Sequence, residues 1–231
     1  MLVLLFSLAL AHAPRAGCQP IVLDTVSDGI LLSSGVVLAG VSEYLARTSP
    51  DRLGKVDSDL INPLDRLLMP PYSREIDIAS DIFQAAALTM PLVFFLIMEP
   101  AQATAADVVC IEALSIAYGA KNLAKYLIPR YRPYLYTGGA SGVDPWDDDQ
   151  SFPSGHATMA FAAASVCTLM FAQHFPGSPY VVPFAVLNYG IATLTASLRV
   201  AAGVHFLTDA IAGAALGTVL GYAVPLARKR S

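Results

Sequence analysis

The sequence predicts an all-α integral membrane protein, a bundle of about six helices. Three observations predict it. The 231-residue chain is 55% hydrophobic and only 14% charged, where soluble domains are about 25% charged. Its charged residues gather in a few loops instead of spreading through the chain. Between those loops lie apolar blocks close to the ~20 residues that cross a bilayer as a helix. The net charge of −4 offers no basic footprint for nucleic acid. Cys18, Cys110 and Cys167 make no disulfide framework; the latter two fall in apolar helices and read as small core residues.

Taken in order, residues 1–13 form an apolar run ending Ala11-His12-Ala13, with the proportions of a signal peptide. The run lacks a positive n-region, and Pro14 would follow the cleavage point. Arg15-Ala16-Gly17-Cys18 is a poor lipoprotein box, because Arg15 stands where an aliphatic is wanted. Residues 1–17 are therefore set apart as an apolar N-terminal segment, and 18–231 as one membrane-embedded domain. The stretch 30–46 is apolar but rich in glycine and serine and carries Glu43, so it reads as a weaker span. A polar stretch follows from 47 to 77, punctuated by Pro50, Pro63, Pro70 and Pro71. Five stronger spans lie at about 79–98, 105–127, 156–173, 180–199 and 205–226. In the last, Gly213, Gly217 and Gly221 recur every four residues and mark a seam for close helix–helix approach. Arg228-Lys229-Arg230 follow it.

Three motifs carry the chemistry. Lys125-x6-Arg132-Pro133 ends one span, Pro153-Ser154-Gly155-His156 opens the next, and Arg199-x5-His205-x3-Asp209 links the last two. All three therefore share one membrane face, and the basic C-terminus marks the opposite face as cytoplasmic. The site is expected on the extracytoplasmic side of the cell (inner) membrane. A cleaved signal peptide would require an odd number of spans and six spans an N-terminus inside, so either residues 1–13 are not cleaved or the 27–46 segment does not cross.

Lys125 and Arg132, seven apart, are expected on one helix face, with the helix ending between Pro129 and Pro133. Both reach a phosphate, Arg132 as a bidentate fork. Lys121 and Arg130 miss the motif spacing and read as interfacial cations. Ser154 reads as an N-cap, which turns the N–H groups of Gly155 and His156 toward an anion. His156 is placed to protonate a leaving oxygen. His205 and Asp209, four apart, are expected on one helix face, the carboxylate fixing the tautomer so that the other ring nitrogen can attack. Gly203 reads as the break that sets His205 at a mouth. Such a set performs phosphoryl transfer through a phospho-histidine, with cations supplying the charge a metal would otherwise supply. Asp144, Asp147, Asp148 and Asp149 lack the regular spacing of a calcium loop and read as a solvated rim. Glu112, inside a strong span, either pairs with a cation or faces a polar cavity.

These motifs, in this order and spacing, resemble the type 2 phosphatidic acid phosphatase superfamily. That family comprises lipid phosphate phosphatases, class A bacterial acid phosphatases and vanadium haloperoxidases. The resemblance covers about residues 105–225. It implies that His205 is nucleophile, Asp209 its orienting acid and His156 the general acid. It further implies that Lys125, Arg132, Ser154, Gly155 and Arg199 bind phosphate, with no metal and no cofactor. One departure is Leu198, where the family has serine before the arginine of the third motif; Ser197 lies one position earlier. The implied activity is removal of phosphate from a lipid phosphate or pyrophosphate in the bilayer. A lipid-linked phosphotransferase and a soluble-type acid phosphatase are the alternatives. A transporter or inert paralogue would leave the His–Asp pair unexplained. Neither the lipid nor the oligomeric state is encoded legibly.

Overall fold

The computed structural model describes residues 21–48, 56–139 and 147–228. The N-terminal apolar segment, Cys18, Asp144, Lys229 and Arg230 lie outside the described residues. Six helices are long and apolar enough to cross a membrane: α1 Thr25–Thr48, α2 Arg74–Ile97, α3 Pro100–Leu127, α4 Gly155–His174, α5 Val181–Ala201 and α6 Leu207–Ala227. Among the described residues there is no strand, only a single bridge between Arg130 and Gln150. The stretch that reads as a weaker span is α1, a full 24-residue helix. The protein is a multi-pass membrane protein.

Local chemistry sets the helix ends. Ser73 caps α2, its hydroxyl accepting from Ile76 N at 3.4 Å. α2 is interrupted where Pro91 removes a donor: a 3-10 turn over Met90–Val93 carries the chain into Phe94–Ile97. Pro100 opens α3 at a position whose N–H is orphaned anyway. α3 ends at Leu127, two residues before Pro129, earlier than the sequence reading placed it. The residue before a proline is steered out of helical geometry, and Ile128 adopts φ −127°, ψ 69°. Lys125 and Arg132 therefore do not share a helix face.

α4 is the central helix. It has no polar face; Ala157, Ala160, Ala162, Ala163 and Ala164 are all buried, as expected of a helix surrounded by others. It packs against α6, α5, α3 and α2. The α4–α6 seam is the glycine row. A Cβ on Gly213 would lie 2.5 Å from Ser154 O, one on Gly221 2.6 Å from Ala162 O, and one on Gly217 would run into Thr158 O. α1 packs on α3 through a second small-residue seam, where a Cβ on Gly119 would lie 2.6 Å from Gly35 O. Away from the motifs, Phe171 and Phe184 stack with ring centroids 4.5 Å apart. They sit in a core with Phe94, Val109, Met170 and the free, buried Cys110 and Cys167.

Glu112 pairs with a cation, Arg228. The same guanidinium lies 2.7 Å from Asp28 Oδ1 on α1. Arg228 is thus a clip joining the end of α6 to α1 and α3, and is not simply a headgroup cation. The six helices alternate in direction, so the loops after α1, α3 and α5 share one membrane face. The three motifs lie on that face.

Candidate active site

The loops on the motif face are tied to one another by backbone hydrogen bonds. Residues 130–132 run beside 148–151: Arg130 N donates to Asp149 O at 2.9 Å, Arg132 N to Asp148 O at 3.0 Å, and Ser151 N to Arg130 O at 2.9 Å. Ser154 N donates to Asp209 O at 3.0 Å, which joins the second motif to the third. Gly203, at φ +71°, makes the turn after α5, with Pro70 O where a side chain would stand. Ser73 N bonds Ala202 O at 3.1 Å, bringing the start of α2 to the same corner.

A cavity of about 280 Å³ opens there, lined by Lys121, Lys125, Arg132, Gly155, His156, Arg199 and His205, with Gln84, Leu88, Tyr118, Asp147 and Met159 completing its wall. The structure thus brings six of the eight motif residues singled out in the sequence to one cavity. The other two, Ser154 and Asp209, stand behind it. Ser154 is buried and spends its hydroxyl as the α4 cap, accepting from Ala157 N at 3.5 Å. Three cations are almost fully buried: Lys125 at 8% exposure, Arg132 at 5% and Arg199 at 6%. Lys125 Nζ donates to Gln150 O at 2.7 Å, and Arg132 donates to Asp147 O at 2.9 Å and to Val204 O at 3.1 Å. These bonds aim the cationic groups without neutralising them. Arg199 is paired with Asp77 and donates to Ser80 Oγ at 3.0 Å.

His205 is 1% exposed. It does not lie on a helix face, as the spacing suggested: α6 begins at Leu207, with Phe206 at the cap position. Arg132 Nη1 stands 3.3 Å from His205 Nε2. A guanidinium only donates, so Nε2 is the acceptor and the proton is assigned to Nδ1. Nδ1 lies 3.7 Å from Asp209 Oδ2, an ion-pair distance longer than a hydrogen bond. The reason is that Asp209 is held by others. Its Oδ2 accepts from Ser151 Oγ at 2.5 Å and from Phe206 N at 2.9 Å, and its Oδ1 accepts from Arg130 at 2.5 Å. The carboxylate thereby also caps α6. Burial first, then the positive field of Arg132, Arg199 and Lys125, holds the His205 imidazole well below its ordinary range. His156 Nε2 donates to Asp81 Oδ1 at 2.7 Å.

Several residues at the site escaped the sequence reading. Arg130, set aside as an interfacial cation, reaches both Asp209 and the fully buried Asp65, at 2.7 Å. Asp77 and Asp81 partner Arg199 and His156. Ser151 bonds Asp209. Asp147 and Asp148 are not simply a solvated rim. Asp147 lies 3.4 Å from Arg132, and Asp148 accepts from Tyr134 Oη at 2.8 Å. Asp77 and Asp81 did leave a signal: two carboxylates four apart at the start of a span share one helix face. No sequence signal pointed to Asp65. Among the described residues no cluster of His, Cys, Asp and Glu has the makings of a metal site.

The model of the PAP2 (type 2 phosphatidic acid phosphatase) superfamily matches residues 106–231. Over 112 residues, 48% of this chain, the sequence is 33% identical to the lipid A 1-phosphatase of Porphyromonas gingivalis. That match spans only 21% of the relative's length. The crystal structure of Aquifex aeolicus LpxE is similar in fold, with a TM-score of 0.51 at 23% identity, covering 71% of this chain and 93% of that one.

Proposed function

The chain belongs to the PAP2 superfamily, and from that premise we propose that it is a membrane phosphatase that removes phosphate from a lipid phosphate or lipid pyrophosphate through a phospho-histidine. The observation that carries this reading is the composition of the cavity wall. Lys125, Arg132 and Arg199 stand beside His205, while Leu88, Tyr118 and Met159 form an apolar flank on α2, α3 and α4. A phosphate on a chain that stays in the bilayer meets both halves. It is held beside the pocket at high effective concentration, an advantage a diffusing sugar phosphate lacks. The lipid A 1-phosphatase match, over its limited length, supports the same class of substrate.

The proposed sequence has two steps. In the first, His205 Nε2 attacks phosphorus while the bond to the leaving oxygen breaks, and His156 gives that oxygen its proton. The imidazolium that forms at His205 is stabilised through Nδ1–H by the Asp209 carboxylate. In the second step a water, deprotonated by His156, attacks phosphorus and releases inorganic phosphate from Nε2. Lys125, Arg132, Arg199 and the N–H groups at the start of α4 take up the charge of the five-coordinate phosphorus. No cofactor has a role, and the site faces the extracytoplasmic side.

The test is phosphate release from a long-chain lipid phosphate in detergent micelles, with a water-soluble aryl phosphate at matched pH for comparison. We expect kcat/KM for the lipid to exceed that for the aryl ester by on the order of 100-fold. Turnover should persist in EDTA and be lost in His205→Ala. Near-normal turnover by His205→Ala would falsify the phospho-histidine. Equal efficiencies for the two substrates would favour the acid-phosphatase alternative.

A further inference from the structure

We propose that Arg130, anchored by Asp65, is a positioning residue that sets the Asp209 carboxylate against His205. This rests on the reading of His205 and Asp209 as the reacting pair. Arg130 does not line the cavity. It forks outward from it: Nη1 donates to Asp209 Oδ1 at 2.5 Å and to Thr208 Oγ1 at 2.8 Å, and Nη2 donates to Asp65 Oδ2 at 2.7 Å. Its guanidinium lies over the Phe206 ring, 4.0 Å from the centroid. Phe206 and Thr208 lie within the turn from His205 to Asp209, so Arg130 holds that turn at three of its residues, Phe206, Thr208 and Asp209.

Asp65 is what makes this grip rigid. It is fully buried on the Pro63–Arg66 turn and also bonds Asn62, Thr208 N at 2.9 Å and Thr208 Oγ1 at 2.6 Å. Burial alone would raise the Asp65 carboxyl; the bonds from Arg130, Thr208 and Asn62 outweigh it and hold the group below its ordinary range. Asp65 is thus a fixed anion facing Arg130. A planar guanidinium between two fixed carboxylates, stacked on a ring, has essentially one orientation. That orientation decides where Asp209 Oδ2 stands relative to His205 Nδ1, now 3.7 Å away. A misplacement of about 1 Å at such a pair is worth on the order of 100-fold in rate.

The experiment compares Arg130→Ala, Arg130→Lys and Asp65→Asn with the wild type, in the lipid phosphate assay and by thermal unfolding in detergent. We expect Arg130→Ala to lower kcat by about 100-fold with KM changed less than about threefold, because the pocket cations are untouched. Lysine, a single point charge, should recover little. Free guanidinium at millimolar concentration should recover part of the kcat of Arg130→Ala. Asp65→Asn should lower kcat by about tenfold, again at near-constant KM. A folded Arg130→Ala with kcat within twofold of wild type overturns the proposal, as does a loss confined to KM, which would make Arg130 a substrate contact. If Arg130→Ala does not fold, Asp65→Asn decides, and an unchanged kcat there overturns it. Full activity in His205→Ala defeats the underlying reading instead.

Discussion

In the proposed reaction His205 must present an unprotonated Nε2 to attack phosphorus. An ordinary imidazole titrates near pH ~6.5, but burial and the field of three neighbouring cations hold His205 well below that. The free enzyme should keep its nucleophile neutral into mildly acid solution. The expected result is an acid limb in kcat/KM below pH ~6.5, measured from about pH 4 to pH 9 with the substrate's own ionisation subtracted. An acid limb at or above that value that persists in His156→Ala would show that the field is not felt. Stability has a definite sign as well. Between the depressed folded value and ~6.5 the unfolded chain binds a proton at this residue that the folded chain does not. His205 therefore weakens the fold as pH falls through that window and has no effect above it. The charged motif residues that line the cavity could be singled out because each motif spans only a short stretch of sequence and the three together resemble a known family. Arg130, Asp65 and Ser151 were not. Arg130 lies 79 positions from Asp209, and only tertiary contact reveals that they touch.

At the scale of elements, the α4–α6 seam does two things. It buries a helix with no polar face, and it seats the α4 N-terminus, with Gly155 and His156, against the His205 turn. Gly217 stands where a Cβ would meet Thr158 O, so Gly217→Ala must push the helices apart. Overpacking of this kind costs about 1–3 kcal/mol. Gly40 on α1 has nothing within 4 Å of such a Cβ and serves as control. Thermal unfolding in detergent should show a clear drop in Tm for Gly217→Ala and none for Gly40→Ala; matched values would mean that the seam is loose. The seam was readable because small residues at a four-residue interval share a face. The helix starts were less readable. His205 and Asp209 have helical spacing, yet α6 begins between them, since its exposed N–H groups claim the Asp209 oxygen that spacing alone assigned to His205. The end of α3 was likewise placed too late, because Pro129 acts on the residue before it.

For the whole molecule, six crossings put both ends of the described chain on the face opposite the cavity. Arg228, the first of the three basic residues after α6, is spent on Asp28 and Glu112. With Cys18 replaced by serine and Cys110 and Cys167 buried, Thr137→Cys should label with an impermeant thiol reagent in intact cells, and Ser231→Cys should not. The reverse pattern would invert the topology. Five of the six spans were legible from composition and α1 only as a weaker one, because its glycines, serines and Glu43 dilute the apolar run; the role of α2 was not. The family match begins within α3, so the inherited cations and histidines all lie downstream of α2. The carboxylates that face two of them, Asp77 and Asp81, lie upstream of that boundary. The proposed reaction machinery and its counter-charge thus belong to separate stretches of chain. Under the proposed function, substitution in the first turns of α2 should retune how strongly the site grips an anion while every motif residue stays as it is. For protein engineering, this makes α2 the place to adjust product release, and the motifs the place to leave alone.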